Sequence, residues 1–158
     1  MGASEARSPL DPKLARQWLA VALDEARHGA AEGGIPIGAA LFTRTGTLLG
    51  SGHNRRVQDG DASTHAETAA FRAAGRRRGY ADTVMVTTLS PCWYCAGLVR
   101  QFGIGAVVMG ESRTFQGGHR WLEELGVEVL DLDDDDCVSL LGSFVTVHPE
   151  LWWEDIGT

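Results

Sequence analysis

The chain has 158 residues, enough for one domain with a sizeable core, and its 44% hydrophobic and 22% charged residues are ordinary for a globular protein. Lys plus Arg number 14 and Asp plus Glu 21, a formal charge of −7. An acidic chain is a poor start for neutralising phosphates, so the balance argues against a nucleic-acid binder and suits a small neutral substrate. Three cysteines, Cys92, Cys95 and Cys137, do not look like a secreted disulfide framework. The apolar runs, such as Ile35 to Phe42, are far shorter than a membrane span, and the first residues lack the basic-then-apolar order of a signal peptide. A soluble, cytoplasmic protein with no membrane partner is expected, with a flexible tail over 1–10 and one domain over 11–158.

Asp11-Pro12 has the form of a helix start, an N-cap acceptor followed by a proline in the first turn. Leu14, Trp18, Val21 and Ala22 continue at helical spacing until Gly33-Gly34. Ile37 to Thr43 and Thr47 to Gly52 read as two strands joined by the turn Arg44-Thr45-Gly46, a hairpin that delivers His53-Asn54 to a polar loop. His65 to Arg78 reads as an alanine-rich helix, capped by Ser63 or Thr64 and stopped by Gly79. Thr83 to Leu89 is a buried strand by its β-branched content. Pro91 opens a further helix with Cys92, Cys95, Ala96 and Val99 on one face, ending at Gly103. Ile104 to Met109 and Val127 to Leu130 read as strands. The acid run Asp133 to Asp136 suits the first turn of a helix that carries Cys137, Leu140, Leu141, Phe144 and Val145 and stops at His148-Pro149. Strands joined through helices imply parallel crossovers, so the fold class is α/β, a three-layer α/β/α sandwich around a mixed, mostly parallel five-stranded sheet.

The chemistry concentrates between His65 and Cys95. An imidazole and two thiolates are good ligands for Zn²⁺, and three protein ligands with one open position form the catalytic pattern of zinc rather than the closed structural one. Cys92 and Cys95, i and i+3 in the first turn of a helix, share a face where free N–H groups favour thiolate. His65 opens its own helix in the same way. One zinc per chain, held by His65, Cys92 and Cys95, would take water at its fourth position and lower that water's pKa. Glu67 is not needed as a ligand and is the candidate proton carrier. Neither half-site is specific alone. Together His-x-Glu and Pro-Cys-x-x-Cys match the known signature of zinc nucleobase deaminases. Cys137 reads as core, and His28, His53 and His119 read as non-ligands.

On these residues the chain resembles the cytidine-deaminase superfamily, and within it the small dimeric cytosine deaminases of fungal type. The likeness extends to Gly33-Gly34-Ile35-Pro36-Ile37-Gly38, Gly52-His53-Asn54, Thr87 to Cys92, Val129 to Cys137 and the tail Trp153 to Gly157. It implies hydrolytic deamination of a free nucleobase, cytosine to uracil and ammonia, with 5-fluorocytosine also accepted, in pyrimidine salvage by a homodimer. It further implies site roles. Asn54 and the Ala66 N–H would hold the ring edge, Phe115 and Trp152 would pack on the ring, and Asp155 would accept from its exocyclic amine. Glu67 would protonate a ring nitrogen, the Ser90 carbonyl would line the departing ammonia, and segment 149–158 would form a C-terminal lid.

Ala66 stands where the fungal pattern has glycine, Thr64 where it has leucine, and Trp93-Tyr94 where it has a small acidic and flexible pair. The two aromatics are expected either to pack at a dimer interface or to narrow the pocket. Guanine, creatinine, isocytosine or a triazine are alternative substrates for the same machinery. A tRNA adenosine deaminase would need a basic surface that Arg55-Arg56 and Arg76 to Arg78 scarcely supply, and a non-catalytic zinc module would not need Glu67.

Overall fold

The computed structural model describes residues 7–158. Helix α1 (Pro12–Ala31) begins as its sequence directs, with Asp11 accepting from the Lys13 N–H at 2.9 Å and Pro12 in the first turn. The hairpin β1 (Gly38–Thr43) and β2 (Leu48–His53) follows, then a short α2 (Arg56–Asp59) and α3 (Ala66–Ala74). Next come β3 (Thr83–Thr87), α4 (Trp93–Phe102), β4 (Ala106–Met109), α5 (His119–Glu124), β5 (Glu128–Asp131), α6 (Asp135–Val147) and α7 (Pro149–Ile156).

The five strands form one sheet in the order β2-β1-β3-β4-β5. Strand β1 is antiparallel to both β2 and β3, whereas β3–β4 and β4–β5 are parallel. Four strands therefore point one way and β1 alone opposes them, the mixed and mostly parallel sheet that was expected. Alternation along the strands divides the core in two. Ala39, Leu41, Met85 and Val107 face Ala66 and Ala70 of α3 and Ala96 and Val99 of α4. Ala40, Phe42, Val84, Val86, Ala106 and Val108 face Trp18, Leu19 and Leu23 of α1. The result is an α/β/α sandwich. Helix α6 touches both layers: Cys137 packs on the α1 side, and Leu141 packs on the other. It thereby carries α7 round to the α3–α4 side, where Trp152 is buried.

The structure corrects several expectations. Helix α3 ends at Ala74 and not at Arg78, because Gly75 adopts φ 73° and ψ −170°, a region open essentially to glycine alone. The arginines Arg76 to Arg78 fall in the following loop, where Arg77 pairs with Asp82 at 3.0 Å. Neither Ser63 nor Thr64 is the N-cap. His65 itself takes that place in extended conformation, with its N–H donated to Thr68 Oγ1 at 3.0 Å. Cys92 likewise is the N-cap of α4. Helices α2 and α5 were not foreseen; both are too short and polar to show an apolar stripe. Helix α7, implied by the resemblance but not by periodicity, starts on the same Pro149 that stops α6, since proline is barred from a helix interior yet suits a first turn.

Of the tail expected over 1–10, residues 1–6 lie outside the described residues. Ser8 and Leu10 are tied down: Arg44 donates to Ser8 O at 3.0 Å and to Glu128 at 2.6 Å, and the Leu10 N–H donates to the same carboxylate at 2.6 Å. Among the described residues, no helix is long and apolar enough to cross a membrane.

Candidate metal centre and active site

The site lies at the carboxyl end of β3, where parallel and antiparallel pairing meet and two helix N-termini converge. Helix α3 brings His65, Ala66 and Glu67; helix α4 brings Cys92 and Cys95. Because His65 and Cys92 are N-caps, their side chains leave the helix axis and point back across the gap. Their ligand atoms and Cys95 Sγ all lie within 4.8 Å of one another. Zinc at its usual bond lengths to nitrogen and sulfur sets tetrahedral N···S edges of about 3.6 Å. His65 Nδ1 lies 3.5 Å from Cys92 Sγ and 3.6 Å from Cys95 Sγ. His65, Cys92 and Cys95 are thus positioned to hold one metal ion, with Nδ1 as the ligating nitrogen. The opposite nitrogen, Nε2, faces Asp155 Oδ1 at 3.8 Å, a charge contact beyond hydrogen-bond reach.

The electrostatics agree with the ligand set. A hydrogen bond from Cys95, helped by His65 and opposed by burial, brings Cys92 down to about 4. Cys95 goes the other way, because it donates to Cys92 and is buried. Without metal the pair therefore shares one proton, which a cation displaces. Burial disfavours charge on His65, but its bond with Cys92 and the nearby carboxylates outweigh that and raise it to about 9 in the metal-free site.

Glu67 is buried beside the ligands, and its Oε1 accepts from Thr87 Oγ1 at 2.8 Å. Burial first, and then the negative charge of Cys92, raises its carboxyl above the usual range. A carboxyl aimed into the cavity beside the metal ligands is placed to carry a proton. Asp155 comes from α7, 101 residues from Asn54, yet Asn54 Nδ2 donates to both its oxygens at 3.2 Å. Burial raises Asp155 too, against His65 and Asn54. Asn54 Oδ1 already accepts from the Arg56 N–H at 3.0 Å, which fixes the amide so that its donors face the site.

One cavity of about 330 Å³, mouth included, collects these groups. Asn54, His65, Ala66, Glu67, Ser90, Cys92, Phe115, Trp152 and Asp155 all line it, and Cys95 lies behind Cys92, fully buried. Phe115 and Trp152 meet edge to face at 5.9 Å and 87°. Ile37, Leu89 and Ile156 also line the cavity and were not singled out from sequence; apolar residues at element ends carry no signal that separates a pocket wall from core. Thr87, under Glu67, and Arg56, which lies 3.4 Å from Glu154 and 3.9 Å from Asp155, were missed for the same lack of a signature.

Trp93 and Tyr94 do not line the cavity. The Tyr94 ring meets His65 edge to face at 5.2 Å from behind, and its hydroxyl donates to Ser63 O at 3.3 Å. Trp93 is 67% exposed. Thr64 donates to Asp61 at 3.0 Å, outside the cavity. As expected, Cys137 is core; His53 sits between Glu25 and Glu32, and His119 contacts Ser90.

Comparison with known proteins agrees with this geometry. Residues 12–111 match the model of the cytidine and deoxycytidylate deaminase zinc-binding region. The cytosine deaminase of Candida albicans is 44% identical over 144 residues, covering 90% of this chain and 96% of that one. A tRNA-specific adenosine deaminase of Buchnera aphidicola is 35% identical over 98 residues, covering 60% of this chain and 64% of its own length. Among solved structures, a guanine deaminase from Nitrosomonas europaea superposes with a TM-score of 0.73 at 25% identity, over 90% of this chain and 89% of that one. The chain belongs to the cytidine and deoxycytidylate deaminase family, zinc-dependent hydrolases of C–N bonds.

Proposed function

We propose that the protein deaminates a free pyrimidine base, converting cytosine and water to uracil and ammonia, and that it also accepts 5-fluorocytosine. The observation that carries this reading is the closure of α7 over the metal centre, which sets Trp152 and Asp155 in one cavity with Glu67. The extent of likeness to the Candida albicans cytosine deaminase, through nearly the whole of both chains, supports it.

Bound zinc would supply Lewis acidity that makes a water deprotonable near neutral pH. Glu67 takes the proton of that water and passes it to the ring nitrogen beside the amine-bearing carbon, which makes the carbon electrophilic. The water oxygen bonds to that carbon, Glu67 moves its remaining proton to the amine, and the C–N bond breaks to release ammonia while the oxygen stays as the new ring carbonyl. Thr87 keeps the Glu67 carboxyl turned into the cavity. The Ala66 N–H, in the first turn of α3 and so without an intrahelical acceptor, donates to the ring carbonyl. Asn54 Nδ2 donates to the ring edge and Asp155 accepts from the exocyclic amine, which selects an amino-bearing ring. Phe115 and Trp152 form the apolar walls. The Ser90 N–H and hydroxyl are engaged elsewhere, so its carbonyl is the group offered to the leaving ammonia.

A purine is the second reading, favoured by the likeness to the guanine deaminase. The cavity is narrow, closed on one side by the Phe115 and Trp152 rings, which favours one ring over two. A base within tRNA would have to reach a cavity that α7 helps to line, and the chain carries −7 against the phosphates. We further propose that residues 11–158 act as one unit with 149–158 as the lid, that exposed Trp93 and Tyr94 lie at a homodimer interface, and that the enzyme serves pyrimidine salvage in the cytoplasm, where thiol ligands stay reduced. Ammonia release from cytosine, 5-fluorocytosine, cytidine, guanine, creatinine and isocytosine tests the substrate. Turnover of cytosine is expected; turnover of guanine or creatinine without cytosine would overturn the reading and leave the family intact.

A further inference from the structure

His119 is buried, lies outside the cluster of His65, Cys92 and Cys95, and was left without a role by the sequence. Its Nδ1 lies 2.7 Å from Ser90 Oγ, and Ser90 stands two residues before the ligand Cys92 and lines the cavity. The same hydroxyl oxygen accepts from the Gly117 N–H at 3.0 Å. Among the described residues His119 Nδ1 and the Gly117 N–H are the two partners of the Ser90 hydroxyl, and the first bond holds in either tautomer of the ring.

These bonds close a loop that carries a wall of the cavity. Segment 111–118 leaves β4 and presents Phe115. At its start the Ser90 N–H donates to Glu111 O at 2.9 Å, and the Glu111 carboxylate accepts from the Thr114 N–H at 2.8 Å. At its end Gly117 bonds to Ser90 Oγ, and the Gly118 N–H donates to Pro91 O at 2.7 Å. The approach is close enough that a Cβ at Gly117 would meet Pro91 O at 2.0 Å. Phe115 thus hangs on a loop stitched at both ends to Ser90-Pro91, the peptide that leads into the ligand Cys92.

We infer that His119 is a positioning residue: through the Ser90 hydroxyl it locks the Phe115 loop to the peptide that carries Cys92, and so sets the distance between ring wall and metal. This rests on the reading that the cavity takes an aminated ring. Removing the imidazole leaves the buried Ser90 hydroxyl without its side-chain partner, which frees Ser90 to turn and releases Gly117. The metal ligands keep their own supports, since His65 is braced by Thr68 and Tyr94, and Cys95 is buried in α4.

The zinc-loaded protein tests this in five forms: wild type, Ser90→Ala, His119→Leu, His119→Asn, and Ser90→Ala combined with His119→Leu. Asparagine sets an amide atom where Nδ1 stands; leucine matches its shape without a polar atom. Two readouts are needed. One is kcat and KM on whichever compound of the six-member panel the wild type turns over fastest. The other is hydrogen exchange across residues 112–118 without ligand. His119→Leu is expected to raise KM about tenfold with kcat within about twofold, and to speed exchange of the segment about tenfold, the usual scale for orphaning one buried polar group. Zinc stays at one per chain. His119→Asn stays near wild type in both readouts, and the double variant is no worse than either single one. Additive losses, an asparagine variant as impaired as the leucine one, loss of zinc, or unchanged exchange would overturn the inference. Should His119→Leu not fold, Ser90→Ala keeps the carbonyl, removes only the hydroxyl and is expected to show the same KM and exchange; a silent Ser90→Ala overturns the inference alone. Failure of the cytosine reading looks different: guanine or creatinine then serves as the kinetic substrate, and the exchange readout needs no substrate at all.

Discussion

The two halves of the cavity are built by opposite means. The metal half is local: His65, Glu67, Cys92 and Cys95 lie at the starts of α3 and α4, two consecutive helices with only β3 between them. The ring half is assembled from afar: Asn54 follows β2, Phe115 follows β4, and Trp152 and Asp155 arrive on α7. The first half stands on helix N-termini packed against the sheet, whereas the second depends on α6 crossing from one core layer to the other. On the proposed function, chemistry rests on the first half and selection on the second.

That division can be broken from either side. Removal of zinc by a chelator should abolish turnover, with zinc alone restoring it, and should lower the melting temperature because metal binds only the folded chain. Glu67→Gln should lower kcat by about 10³-fold or more while metal analysis still finds one zinc per chain. Retained turnover would remove Glu67 from the proton path. On the ring half, Asp155→Ala should lower kcat/KM about hundredfold, the scale of losing a hydrogen-bonded carboxylate, again with zinc kept. A normal value would mean that α7 does not take part in recognition. Trp152→Phe preserves an apolar wall and should raise KM only severalfold, with kcat nearly unchanged. The smallest kinetic effect is expected from Trp93→Glu, since Trp93 lies outside the cavity. It should instead shift sedimentation from dimer to monomer if that face is the interface, and an unchanged dimer would place the interface elsewhere.

Several features could be seen without coordinates because local rules governed them. Asp11-Pro12 starts α1, the acid run before Cys137 opens α6, and Pro91-Cys92 opens α4. Each depends only on the free N–H groups of a helix start. The ends of α3 were not legible in the same way. Its stop at Gly75 hangs on a backbone conformation, and its N-cap is a histidine that a capping scale would pass over. Helix α5 is too short to show a period, and with it the partnership of Ser90 and His119 stayed hidden.

For the site, the pattern from His65 to Cys95 determined the metal, the number of its ligands and the spare carboxylate, since those follow from residue type and spacing along two helix starts. The positions of Asn54, Phe115, Trp152 and Asp155 came forward only through resemblance, because nothing in their own surroundings distinguishes a ring contact from a turn, a core aromatic or a solvated acid. The tertiary structure decided that they share one cavity, that Trp93 and Tyr94 stand outside it, and that Asn54 grips Asp155 across 101 residues. Local chemistry is set by neighbours in the chain, whereas a pocket's shape is set by which distant elements pack together, and no period or spacing along the sequence records that.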